Sequence, residues 1–147
     1  MMEIEEFLNA DNILLSFAAS SKKQILEALS IHISKSVNID HYEILAALHD
    51  RERLGSTGVG GGVAIPHARL SGLTSITGLY AHLQKPIPFE SIDDKQVDLI
   101  FMLLMPEEAG AENLKALAKI SRILRQETIR TKLRDTDNKQ TVFKLFS

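Results

Sequence analysis

The chain has 147 residues, 44% hydrophobic and 24% charged, with a formal net charge of -2 at pH 7. That size fits one domain, residues 1–147, with a sizeable core, and the balance excludes wholesale disorder and a basic footprint for nucleic acid. With no cysteine, a longest apolar run (Leu99–Met105) too short to cross a bilayer, and an acidic start (MMEIEEFL), disulfides, thiolate chemistry and membrane insertion are excluded and a cytoplasmic protein is expected.

Asn12–Phe17 (NILLSF) reads as a short buried strand. Ser21 then opens a helix with Gln24 at the capping-box spacing, and Ile25, Leu29 and Ile33 form its apolar stripe. A second helix opens at Asp40 with Glu43 in the same spacing. It carries Ile44, Leu45 and Leu48 inward and stops near Gly55. After a glycine-rich loop, Val63–Ile65 is extended, because Pro66 pushes the residue before it away from helix. Ser75–Gln84 alternates as a strand, and Lys85–Phe89 with Asp93-Asp94 is turn chemistry. Val97–Met105 is a continuous apolar strand, as expected for one covered on both faces. Glu112–Leu124 is helical with Leu114, Leu117, Ala118 and Leu124 on one face, and shorter helices follow at Glu127–Arg134 and Thr141–Phe146. Strands interleaved with helices predict an α/β sandwich with a central mixed β-sheet flanked by helices.

The chemistry concentrates in Gly55–Leu70, GSTGVGGGVAIPHARL. Five of the chain's 8 glycines lie in Gly55–Gly62, and the segment ends in Pro66-His67. Neither familiar nucleotide motif is met: Gly61-Gly62 stand where a Walker A loop needs Lys and Ser/Thr, and the dinucleotide glycine spacing fails from either Gly58 or Gly60. Three readings stay open: a cradle of backbone N–H groups for a phosphate, a nucleophilic histidine, or a turn beside a bystander His67. Ser56 and Thr57 add hydroxyl donors, Arg51 and Arg53 sit just upstream, and Arg69 follows His67 by two residues. Donors, guanidinium and imidazole together suit transfer of a phosphoryl group onto nitrogen, which needs mainly positioning and charge neutralisation. His32, His41, His49 and His82 have no ligand spacing between them, so no metal site is expected, and no cofactor is implied.

Arg51–Leu70 (RERLGSTGVGGGVAIPHARL) resembles the signature of the type-2 IIA proteins of the bacterial phosphoenolpyruvate-dependent phosphotransferase system. This is the fructose/mannitol family, and within it the likeness is greatest to the nitrogen-regulatory branch. Pro86–Pro106 (PIPFESIDDKQVDLIFMLLMP) is similar to a second block of that family. The resemblance implies that His67 accepts phosphate through Nε2 from an HPr-like phosphocarrier, that Arg51 stabilises the phosphate, and that Ser56 and Thr57 supply hydroxyls beside it. It also implies a regulatory target protein or an EIIB component as the next partner. In one respect the chain departs from the family: Asn113 stands where a second histidine is usual. Asparagine donates a neutral hydrogen bond but cannot become cationic, so compensation would fall to Lys115 or Arg69. Two alternatives remain: a sugar-specific IIA, and a binding module of the same fold that does not transfer phosphate.

Overall fold

The computed structural model describes residues 3–108 and 110–147, so the first two residues of the acidic start lie outside the described residues. Two short 3-10 turns, Ile4–Glu6 and Ala10–Asn12, lead into strand β1 (Ile13–Phe17) and helices α1 (Lys22–Val37) and α2 (His41–Arg53). Three short strands follow: β2 (Gly58–Gly60), β3 (Val63–Ala64) and β4 (His67–Leu70). Two long strands, β5 (Thr77–Ile87) and β6 (Val97–Pro106), precede helices α3 (Gly110–Leu124), α4 (Glu127–Asp135) and α5 (Lys139–Phe146). No helix among the described residues is long and apolar enough to cross a membrane.

The strands form one mixed sheet in the order β1-β5-β6-β3-β2, with β4 also paired to β6. β6 is the axis: it runs antiparallel to β5 and parallel to both β3 and β4. Its alternate residues feed two cores. Ile100, Met102 and Leu104 pack with Ile25, Leu29 and Ile33 of α1 and Ile44 and Leu48 of α2. Leu99, Phe101, Leu103 and Met105 pack on the other face with Ala116, Ile120, Leu133, Val142 and Phe146 of the last three helices. This is the expected α/β sandwich, and it accounts for an apolar run with no polar face.

Local differences from the sequence expectations have physical causes. Ser21 caps α1 by accepting from the Gln24 N–H, but Gln24 Oε1 reaches back to Ser20 N rather than to Ser21. Strand β5 does not stop at Gln84; it runs through Lys85 and Pro86 to Ile87. Proline is tolerated there because pairing with β1 ends at Leu83 and pairing with β6 is irregular between His82 and Ile87. In α3 the buried face is Asn113, Ala116, Ile120 and Leu124, while Leu114 and Ala118 are exposed. A polar residue on the inward stripe shifted that expectation, because periodicity counts only apolar positions.

Candidate functional site

The segment from Val63 to Leu70 runs beside β6 but breaks between β3 and β4, at Ile65-Pro66. Leu103 N–H donates to the Pro66 carbonyl at 2.9 Å, so the alignment survives the break. The Ile65 carbonyl is turned toward the His67 ring, and His67 Nδ1 lies 2.8 Å from it. A carbonyl oxygen can only accept, so Nδ1 must carry the proton and Nε2 must hold the lone pair. The second ring contact agrees: Arg51 Nε donates to Nε2 at 3.3 Å. Burial holds the imidazole below its ordinary pKa, and the Arg51 charge adds to this against the opposing pull of the Ile65 carbonyl and Glu52. The ring is therefore neutral near pH 7, with its free nitrogen aimed at a guanidinium.

Arg51 belongs to the last turn of α2. Its Nη1 donates to the Gly55 carbonyl at 2.8 Å while Nε serves His67, so the guanidinium is held from two sides. Gly55 has φ +148°, a conformation that side-chain-bearing residues rarely adopt, and this turn sends its carbonyl back under Arg51.

His67 and Arg51 open onto a cleft of about 450 Å³ between the end of α2, the start of β4, Met105 of β6 and the first turns of α3. Its lining includes Arg69, which is exposed, and Asn113, which is 2% exposed. Asn113 Nδ2 donates to the Pro106 carbonyl at 2.8 Å, tying α3 to the end of β6, and its Oδ1 has no partner among the described residues. Leu54 and Leu114, 85% and 65% exposed, flank the opening.

The structure thus brings His67, Arg51, Arg69 and Asn113 together and leaves other expected residues outside. Ser56 does not line the cleft; its hydroxyl donates to the Phe89 carbonyl at 2.7 Å. Thr57 is buried, with both its N–H and its hydroxyl on the Glu52 carboxylate. Lys115 is exposed and pairs with Glu112 at 3.6 Å. Nor do the glycines wall the cleft. Gly58–Gly60 is a strand, and a Cβ on Gly62 (φ +79°) would lie 2.4 Å from Arg134 Nη2, where Arg134 grips Asp98. Their small size serves close packing against neighbouring segments.

Three contributors escaped sequence reasoning: the Ile65 carbonyl, the Gly55 carbonyl and Glu52. Main-chain acceptors leave no residue-type signal. Glu52 does leave one, as a carboxylate next to Arg51 and five residues before Thr57. Among the described residues no three His, Asp or Glu side chains group as a metal site.

Residues 6–147 match the family described as Phosphoenolpyruvate-dependent sugar phosphotransferase system, EIIA 2. The chain is 42% identical over 146 residues to a nitrogen regulatory protein of Bradyrhizobium diazoefficiens, covering 99% of this chain and 95% of that one. It is 36% identical over 146 residues to a nitrogen regulatory protein of Pseudomonas aeruginosa, with the same shares covered. Its structure is similar to the crystal structure of nitrogen regulatory protein IIA-Ntr from Neisseria meningitidis, with a TM-score of 0.95, 35% identity, and 98% and 99% of the two chains covered.

Proposed function

The chain belongs to the EIIA type-2 family of the phosphoenolpyruvate-dependent sugar phosphotransferase system, and from that premise we propose that His67 accepts a phosphoryl group and that the protein acts chiefly as a regulator. The observation that carries this is the locked ring: Nδ1–H on the Ile65 carbonyl and a bare Nε2 facing Arg51. The donor is an HPr-like phosphocarrier. The P–N bond to the carrier's histidine breaks as the bond from His67 Nε2 to phosphorus forms, and the carrier's imidazole leaves. Nδ1 keeps its proton throughout. Positive charge grows on the ring as Nε2 gives up its lone pair, so the bond to the Ile65 carbonyl strengthens. Arg51 exchanges its contact with Nε2 for one with a phosphoryl oxygen, a charge-assisted bond about twice as strong as a neutral one.

The regulatory role is supported by relatives named nitrogen regulatory protein. Asn113 favours it too, because a neutral amide tied to Pro106 adds no cation to speed onward transfer. A phosphorylated His67 would place an anionic phosphoryl group between Leu54 and Leu114, altering what docks there.

Incubation with phosphoenolpyruvate, the general phosphotransferase enzyme and a phosphocarrier should yield an acid-labile phosphate that His67→Ala abolishes. No incorporation, with a carrier shown to be charged, would overturn the proposal. A binding module that does not transfer phosphate predicts equal partner binding by wild type and His67→Asp; a difference rejects it.

A further inference from the structure

Glu52 is not among the residues that line the cleft, yet its carboxylate, next to Arg51 in sequence, is tied by three contacts. The group is 6% exposed. Oε1 accepts from Lys22 Nζ at 2.9 Å and from Thr57 N–H at 3.0 Å, and Oε2 accepts the Thr57 hydroxyl in a short bond. Lys22 is itself fixed over the Phe89 ring, 4.7 Å from its centroid. A buried carboxylate is costly unless paired and hydrogen-bonded, and this one is both.

The bonds close a loop. Gly55 N–H donates to the Glu52 carbonyl at 3.1 Å, and the Glu52 side chain then pins Thr57, so residues 52–57 are clamped at both ends. Inside the clamp lies the Gly55 carbonyl, which receives Arg51 Nη1. The chain of contacts therefore runs from Lys22 to Glu52 to Thr57, fixes the turn at Gly55, and so sets the guanidinium that meets His67. We infer that Glu52 is a positioning residue for phosphoryl transfer: neutralised by Lys22, it holds Arg51 on His67 Nε2 through the Thr57 clamp. The inference rests on His67 being the phosphoryl acceptor for its consequence, but its geometry can be tested without phosphate.

Two measurements on ¹⁵N-labelled protein keep these apart. In the wild type the Arg51 Nε–H signal should be protected from solvent exchange by its bond to His67. Thr57→Val and Glu52→Gln should each speed that exchange by roughly tenfold or more and slow phosphorylation on the order of ten- to a hundredfold, the scale of a misplaced catalytic group. Thr57→Ser, which keeps the hydroxyl, should rescue both. All comparisons are made below the melting temperature of the least stable variant. Wild-type-like Arg51 exchange in Thr57→Val and Glu52→Gln overturns the inference, whether or not phosphate is accepted. A wild type that takes no phosphate from a charged carrier overturns the functional proposal, while the exchange data still decide the positioning role.

Discussion

Arg51→Met should move His67 in opposite directions in its two states. In the free protein the guanidinium disfavours protonation of the ring, together with burial. Removing it should raise the titration midpoint toward the ordinary value of 6.5. In the phosphorylated protein the same cation attracts. Arg51 Nε is 3.3 Å from Nε2, which places the guanidinium about 4 Å from the phosphoryl charge after transfer, worth about 4 kcal/mol gross per unit charge at an effective dielectric near 20. Arg51 is only partly buried, so solvent reduces this to the range of a hydrogen bond to a charged group, about 1.5–3 kcal/mol. The partition of phosphate between carrier and protein should therefore shift roughly ten- to hundredfold toward the carrier. Radiolabelled phosphoenolpyruvate and alkaline native gels measure that partition without destroying the phosphohistidine. Arg51→Lys should fall between, since an ammonium lacks the fork that spans Gly55 and His67 at once. An unchanged partition in Arg51→Met, with the His67 midpoint also unmoved, would refute the electrostatic role.

Because the folded His67 pKa is lowered, phosphate acceptance should stay flat from pH 8 to below 6.5, where an ordinary histidine already loses its lone pair; an NMR midpoint at or above 6.5 would contradict this. By linkage, the unfolded chain takes up a proton near pH 6.5 that the folded protein refuses until lower pH, so stability falls on acidification through that window and the group contributes nothing above it. His67→Gln should flatten that part of a urea-melt pH profile. Ser56→Ala should cost about 1 kcal/mol of stability through its lost bond to the Phe89 carbonyl and leave the phosphate partition nearly unchanged; a large shift in partition would return the hydroxyl to the phosphate. Gly62→Ala should cost more, at least about 2 kcal/mol in urea denaturation, from its positive φ and the clash with Arg134, while each folded molecule still accepts phosphate.

Residue types that announce their chemistry were legible. His67 and Arg51 bring an imidazole and a permanent cation, and the structure places them 3.3 Å apart although they lie 16 positions apart in sequence. The strands were legible where apolar runs were long, as in Val97–Met105. The glycines misled, because their number suggested a cradle while their backbone angles and neighbours show close packing against Ser91, Asp98 and Arg134. Ser56 and Thr57 misled for a related reason: a hydroxyl near a site donates to whichever acceptor the fold supplies, here Phe89 and Glu52. The lock on the ring could not be read at all, since its acceptors are carbonyls of Ile65 and Gly55, which every sequence has at every position.

On the proposed function, phosphate on His67 would change more than one charge. The free cleft is lined by the exposed Leu54 and Leu114 together with Asp50, Arg51 and Arg69, so apolar and charged side chains meet at one opening. A partner that buries both leucines gains about 1.5–3 kcal/mol from each. After phosphorylation the same partner must also desolvate an anionic phosphoryl group, and Asn113, with Nδ2 held by Pro106, brings no further positive charge to offset it. Burying an ionised oxygen without a full set of donors costs several kcal/mol, comparable with the whole gain from the leucines. A partner with only apolar groups is then released, and one with basic groups is favoured. If His67 carries phosphate as proposed, the neutral amide of Asn113 makes its charge a stronger signal to whatever docks there.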